Sequence, residues 1–313
     1  MNQQPSPQQI QINNENIGKR LDTFLADFFA GEHTRSQISA SIKNGDITLN
    51  GNIVKTGTIL KLDDIIKFSM TCNDIPATPE NIPLDIVFED NHLIIINKPR
   101  GMTVHPGAGV KSGTLLNALL YKFKKSDALD RAGIVHRLDK NTAGLIMVAK
   151  TKKTQEKLSK MFESHQIQRT YIGLIEGHLH GTGTVNKPII RDQRNRTRYT
   201  VATPNQKNAR IAITHYESIT LYTTKTSKKP ISLVKFNLET GRTHQIRVHM
   251  RSLNHPLIAD PEYNQNSTIK VSGQLLESIQ LEFTHPITSE SLLFKIETTP
   301  EFNKILSLLD IVK

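Results

Sequence analysis

A single cysteine, Cys72, leaves the chain without a partner for an internal disulfide and without a second thiolate for a structural zinc site. No apolar run approaches the roughly 18 residues that a membrane-spanning helix needs. The opening MNQQPSPQQIQI lacks the basic and apolar stretches of a secretory signal. These absences predict a cytoplasmic protein with no membrane attachment. No internal repeat, long heptad or exposed apolar stripe is evident, so a monomer is expected. The 12 histidines are scattered. His244 and His249 stand at a spacing that suits neither one helix face nor the HExxH pattern, and no metal site is expected.

What the chain has is basic charge. Forty Lys and Arg against 29 Asp and Glu give +11, which favours a polyanionic partner and fast, salt-sensitive association. Charge alone does not separate RNA, DNA and anionic lipid. At 313 residues there is room for two or three domains, one of them large enough to be an enzyme.

Residues 1–16, rich in Gln, Asn and Pro, read as a mobile tail. In IGKRLDTFLADFF the apolar residues Leu21, Phe24, Leu25 and Phe28 recur at helical steps. A second helix fits SQISASIKNG, with Ser36 as its cap, Ile38 and Ile42 on its apolar side and Gly45 at its end. Asn50-Gly51 in DITLNGNIV predicts a hairpin turn, and KLDDIIKFSM a strand. The proline-punctuated CNDIPATPENIP marks a boundary, with a linker over 76–86. From 87 to 313 long strands alternate irregularly with helices, TLLNALLYKF, the basic TKKTQEKLSKMFESHQ, HQIRVHMRSL and PEFNKILSLL. Such a pattern predicts an α+β domain with a mainly antiparallel mixed sheet flanked by helices.

Chemistry concentrates in IVHRLDKNTAGLIMVA, which sets His136, Arg137, Asp139 and Lys140 between two apolar runs, Gly133–Val135 and Leu145–Ala149, that look like buried strands. A carboxylate there needs cationic or hydrogen-bonding partners, or it takes up a proton. A structural ion pair closing the turn accounts for these residues equally well. Three further segments carry reactive side chains: IQRTYIGLIEG with Tyr171 and Glu176, LETGRTHQIRVHM with Arg242, His244, Arg247 and His249, and NKPRGMTVHPG with Pro99, Gly101 and His105. The stretch RDQRNRTR, with Arg191, Arg194, Arg196 and Arg198, makes poor core and good phosphate contacts.

In order and spacing these four segments closely resemble the pseudouridine synthases of the RluA type, over about residues 84–300. The helix-helix-hairpin unit at 17–75, with Arg20, Arg35 and Lys43, resembles the alpha-L RNA-binding module first seen in a small-subunit ribosomal protein. The resemblance implies isomerisation of specific uridines in large-subunit ribosomal RNA or pre-50S particles, without cofactor or metal. It implies Asp139 as the catalytic aspartate, Arg247 as the arginine that pairs with it through a bidentate fork, and Tyr171 as the active-site tyrosine. Arg137 is implied in opening the RNA and filling the space left by the extruded base, and Arg242 in a phosphate contact; His136 stays open. Whether Asp139 attacks the ribose carbon or removes a ribose proton to give a glycal is left open, as is the choice between neighbouring uridines in one helix and dispersed ones. Thr142-Ala143-Gly144 departs from the family's usual Thr-Ser-Gly by one hydroxyl. A silent RNA-binding assembly factor and a glycosylase that releases uracil are the alternatives.

Overall fold

The computed structural model describes residues 8–29, 35–68, 77–107, 110–123, 129–195, 197–204 and 206–312. Two compact units make up the chain, Met1–Pro76 and Ala77–Lys313.

In the first unit, β1 (Gln8–Gln11), α1 (Leu21–Phe28), α2 (Arg35–Asn44), β2 (Ile47–Leu49) and β3 (Ile65–Phe68) follow in sequence. The strands form an antiparallel sheet of order β1-β3-β2. Leu21, Leu25, Ile38, Ile42 and Ile66 make its core, which explains the helical spacing of the apolar residues. Asn50 and Gly51 both have positive φ, 51° and 78°, and Leu49 and Asn52 exchange backbone hydrogen bonds across them, a two-residue hairpin turn. Two expectations change. Residues 8–12 are an edge strand and a core residue, not a tail: Ile10 pairs with Ile66 and Ile12 is 1% exposed. The partner backbone of β3 satisfies a segment too short and too polar to signal a strand by itself. Ser36 lies inside α2 and not at its cap, since the helix already includes Arg35.

The second unit contains β4 (Asp85–Glu89), β5 (Leu93–Lys98), α3 (Leu115–Lys122), β6 (Ala143–Ala149), α4 (Lys152–Glu163), β7 (Gln168–Glu176), β8 (Thr182–Asn186), β9 (Ile189–Arg191), β10 (Tyr199–Val201), β11 (Ile213–Thr224), β12 (Pro230–Leu238), α5 (Gln245–Ser252), β13 (Leu276–Thr284), β14 (Ser291–Lys295), α6 (Pro300–Ser307) and β15 (Leu309–Ile311). Ten of the described strands form one sheet, with the path β15-β11-β12-β7-β13-β6-β5-β4, β14 beside β13 and β8 beside β11. Its pairings are antiparallel except that of β6 with β13. All of β6 is buried because its alternate residues serve two cores: Ile146 and Val148 face one with Ile94 and Ile96, while Leu145 and Met147 face another with Leu158.

Two boundaries move. Residues 77–82, expected within the linker, are strapped to α3: the buried Asn117 side chain donates to Thr78 O at 2.8 Å, and the Glu80 carboxylate accepts from Gly113 N at 3.1 Å. The second unit's first strand starts at Asp85, earlier than 87. The expected strand at Gly133–Val135 is a 3-10 turn, Asp130–Gly133, followed by a single bridge from Ile134 to Val148.

Gly144, at the start of β6, has φ 109°, and a Cβ there would lie 2.1 Å from Ser278 O on β13. Both elements are backbone, so neither yields easily. Gly144→Ala is expected to destabilise the unit by about 2–4 kcal/mol. A melting temperature within about 2 °C of wild type in differential scanning fluorimetry would refute this.

Candidate active site

Asp139 sits in the irregular turn between Ile134 and β6, and two backbone hydrogen bonds and one lysine side chain fix that turn. Thr142 N donates to Asp139 O at 3.1 Å, and Gly101 N donates to Lys140 O at 2.9 Å. Lys98, fully buried, donates its ammonium to Pro99 O, Met102 O and Lys140 O at 2.9, 3.0 and 3.3 Å. Burial pulls the Lys98 ammonium down to about 7 against the opposing pull of Asp139. The NKPRG turn is thereby the support on which the Asp139 turn rests.

Arg247, in the first turn of α5, reaches Asp139 Oδ2 through Nη1 at 3.0 Å. Its bidentate fork is directed elsewhere than expected. Nε and Nη2 grip Asp260, at 2.7 and 2.8 Å, and Asp260 is wholly buried. Asp260 also accepts the backbone N–H of Glu262 and Tyr263, at 2.9 and 3.0 Å. Arg247 is therefore held by one carboxylate and offers its remaining nitrogen to the other. Burial pushes the Asp139 carboxyl up, but at the acid pH where it titrates a protonated His244 and Arg247 outweigh burial and hold it below the ordinary aspartate value. The segment that carries Asp260 and Tyr263 is in turn anchored by Glu176, whose carboxylate accepts from Asn264, Ser267 and Thr268.

Tyr171 on β7 is buried at the floor beside Asp139, registered against Phe236 on β12 and Ser278 on β13. Burial raises its phenol, and the Arg169 guanidinium, two residues away on the same face of the strand, opposes that rise. Arg169 stacks over Phe162 at 5.4 Å and donates to Glu239 O at 3.3 Å. A cavity of about 350 Å³, open to solvent, is lined by Asp139, Tyr171, Arg137, Arg242, His244 and Arg247. It shares Asp139, Tyr171, Arg137 and Arg242 with a larger groove that adds His105, Arg131, Arg169 and Arg210. The guanidinium groups along the second suit an anionic strand.

The other predicted residues are distributed as follows. Arg137 is exposed at the mouth, and Arg242 is tied to Ile211 O through Nε at 3.0 Å. His136 accepts the Met147 backbone N–H at 2.8 Å, and burial holds it neutral with a pKa of about 3, so it serves the fold. RDQRNRTR is the turn of the two-stranded ribbon β9-β10 and not a free loop; Arg191 stacks on Tyr199, Arg194 is exposed, and Arg198 pairs with Glu262 at 3.2 Å. In the first unit Lys43 is exposed and Arg20 is paired with Asp22 at 2.9 Å. Arg196 and the Arg35 side chain lie outside the described residues. His249 is buried between Thr214 and Lys187 O, and no group of three metal-ligating side chains occurs among the described residues. No helix of the described residues is long and apolar enough to cross a membrane. The sequence reading missed Asp260, Tyr263 and Lys98. One signal was available for Asp260, because a buried guanidinium with five donors needs more acceptors than one carboxylate oxygen.

A clamped carboxylate beside a buried tyrosine, on a mixed sheet and facing a basic groove, suits an enzyme that acts on an anionic substrate. Residues 92–252 match the family model for RNA pseudouridylate synthase, and the chain belongs to that family. It is accordingly an RNA pseudouridine synthase of the RluA type, an isomerase. Ribosomal large subunit pseudouridine synthase D of Xylella fastidiosa is 38% identical over 285 residues, covering 86% of this chain and 82% of that protein. The protein of the same name from Zymomonas mobilis is 35% identical over 320 residues, covering 96% and 97%. Human RNA Pseudouridylate Synthase Domain Containing 1 shares the fold, with a TM-score of 0.58 at 21% identity over 74% of this chain and 90% of that one.

Proposed function

We propose that the protein converts uridines of large-subunit ribosomal RNA to pseudouridine, at several neighbouring positions of one helix, acting in the cytoplasm as a monomer on the RNA or on pre-50S particles. The observation that carries the reading is Asp139, clamped by an arginine that a second carboxylate holds, in a chain 34–39% identical to relatives named large subunit pseudouridine synthase D. In this reaction the glycosidic bond breaks, the uracil turns, and C5 rejoins the ribose, so no redox step arises. Asp139, ionised and fixed, acts at the sugar as nucleophile or base. Tyr171 presents its ring to the uracil and its hydroxyl to the proton that leaves C5. Arg247 keeps Asp139 ionised when the nucleotide excludes water.

Reaching a glycosidic bond in folded RNA requires the base to leave its stack, and Arg137 at the mouth fills the space it vacates. Arg242 meets a phosphate. Arg191, Arg194, Arg196 and Arg198 extend the track along the ribbon, and Arg20, Arg35 and Lys43 of the first unit dock further RNA. Arg20 does so only by sharing its pair with Asp22. The recognition is of RNA shape more than of bases.

The test is incubation of the full chain with unmodified large-subunit ribosomal RNA, followed by carbodiimide primer-extension mapping. New stops clustered in one helix support the reading. Dispersed stops would move it to a relative with scattered sites, and tight binding without stops to an assembly factor. Alanine at both Arg191 and Arg194 is expected to lower the slope of log K against log salt by roughly 1.5–2, with turnover at saturating RNA unchanged. An unchanged slope in filter binding would remove the ribbon from the RNA track.

A further inference from the structure

His244 sits at the N-cap of α5 with φ 59°, the left-handed region that a side-chain-bearing residue rarely adopts. Its ring stands edge-on between Tyr199 and Tyr263, 5.6 Å from each centroid. Its Nδ1 is 2.9 Å from the Tyr263 hydroxyl, and that oxygen also accepts the Tyr199 backbone N–H at 2.8 Å. Among the described residues His244 Nδ1 is the one acceptor within hydrogen-bond reach of the Tyr263 hydroxyl, so the phenolic O–H donates to it. The imidazole proton then resides on Nε2. Burial lowers the His244 pKa, so the ring is neutral and this tautomer is the one present at neutral pH.

Nε2 lies 3.9 Å from Asp139 Oδ2, too far for a hydrogen bond. The cleft therefore presents an N–H donor and a carboxylate acceptor side by side with a gap between them. An oxygen about 2.8 Å from both would close the gap only if it could accept from one and donate to the other. A carbonyl cannot donate to the carboxylate, and an amide N–H cannot accept from the imidazole. A hydroxyl does both. On the sugar of a nucleotide within an RNA strand the 2′-hydroxyl is the one that is not esterified, and its carbon adjoins the C1′ at which the glycosidic bond breaks. Asp139 Oδ1, which accepts no hydrogen bond from the described residues, remains for the ribose.

We propose that His244 and Asp139 together bind the 2′-hydroxyl of the target uridine, His244 as donor, with Tyr263 positioning His244 by fixing its tautomer. The pair is then the element that selects ribose over deoxyribose. This rests on the uridine-isomerising reading of the same cleft.

The experiment compares full-length wild type, His244→Phe, His244→Gln and Tyr263→Phe in single-turnover assays. The substrates are two ribosomal RNA fragments that differ only by ribose or 2′-deoxyribose at the mapped uridine. Wild type is expected to lose roughly 30–300-fold on the deoxy substrate, and His244→Phe to lose less than a tenth as much, because the donor is already gone. Tyr263→Phe should fall between, and His244→Gln, which keeps an N–H, should recover part of the discrimination. If the deoxy penalty is the same in wild type and the variants, the contact does not exist. Should His244→Phe fail to fold or be inactive on both RNAs, the penalty in Tyr263→Phe decides by the same criterion. Absence of pseudouridine from wild type on the ribose substrate would overturn the uridine-isomerising reading itself, and this inference with it. Turnover without coupling would overturn this inference alone.

Discussion

Asp139→Asn is expected to reduce pseudouridine formation by roughly 10³-fold or more while RNA binding stays within a few-fold of wild type. The substitution keeps the side chain's shape and removes its charge. It cannot disorder the clamp, because Asp260 alone supplies Arg247 with two of its three bonds, at 2.7 and 2.8 Å. The melting temperature should therefore stay near that of wild type. The loss of rate would then belong to the chemistry and not to folding. Binding should persist for an electrostatic reason also: the RNA is a polyanion, and the substitution removes a negative charge from a groove lined by Arg137, Arg169, Arg210 and Arg242. Single-turnover rates with tritium release from C5-labelled RNA measure the first quantity and filter binding the second. Near-normal turnover in Asp139→Asn would remove the carboxylate from its proposed role. Free uracil among the wild-type products would point to a glycosylase.

The residues that do the chemistry were more legible in the sequence than the residues that hold them. Asp139, Tyr171 and Arg247 lie in segments where charge interrupts apolar strands or a helix end, and the fold brings all three to one cavity. Asp260 lies in a turn with no periodicity, and only the tertiary position of α5 turns it into the partner of a guanidinium thirteen residues earlier. The expected fork between Arg247 and Asp139 failed for the same reason, since sequence supplied one acceptor and the fold supplied a second. Lys98 looks like an ordinary charge before a proline; its use as a buried tie among three carbonyls depends on where the Asp139 turn closes. Backbone pairing misled in both directions. Gln8–Gln11 has too little apolar pattern to be read as a strand yet acquires one partner, and Gly133–Val135 has the β-branched look but only one bridging residue. Within the large sheet β6 was readable because it is apolar on both faces, whereas the short β8 and β15 carry no such run and were not.

Arg247→Met is expected to destabilise the fold by about 3–5 kcal/mol and to move the acid limb of the pH–rate profile toward neutrality. The side chain is 5% exposed and lies between Asp139 at 15% and Asp260 at 0%. Its removal leaves Asp260 buried with two backbone N–H donors and no cation, which is the costly half of a broken buried pair. The direction of the pH effect follows from what remains. With Arg247 present, Asp139 is held below the ordinary aspartate value, so its pair contributes stability above that range and loses it as pH falls through the lowered value. Without Arg247, burial is opposed only by His244 and Arg137, the carboxyl rises from its wild-type value, and activity is lost at higher pH than in wild type. Adding Asp260→Asn to Arg247→Met should return a large part of the stability, because the stranded charge is removed, yet leave the acid limb where Arg247→Met put it. Stability and activity would then separate in one double variant, by urea titration and by single-turnover rates from pH 4 to 8. If the double variant also recovered the wild-type acid limb, Arg247 would not be the group that keeps Asp139 ionised. If it recovered no stability, Asp260 would not be the group left stranded, and the clamp would have to be explained through Tyr263, whose ring lies 5.0 Å from the guanidinium.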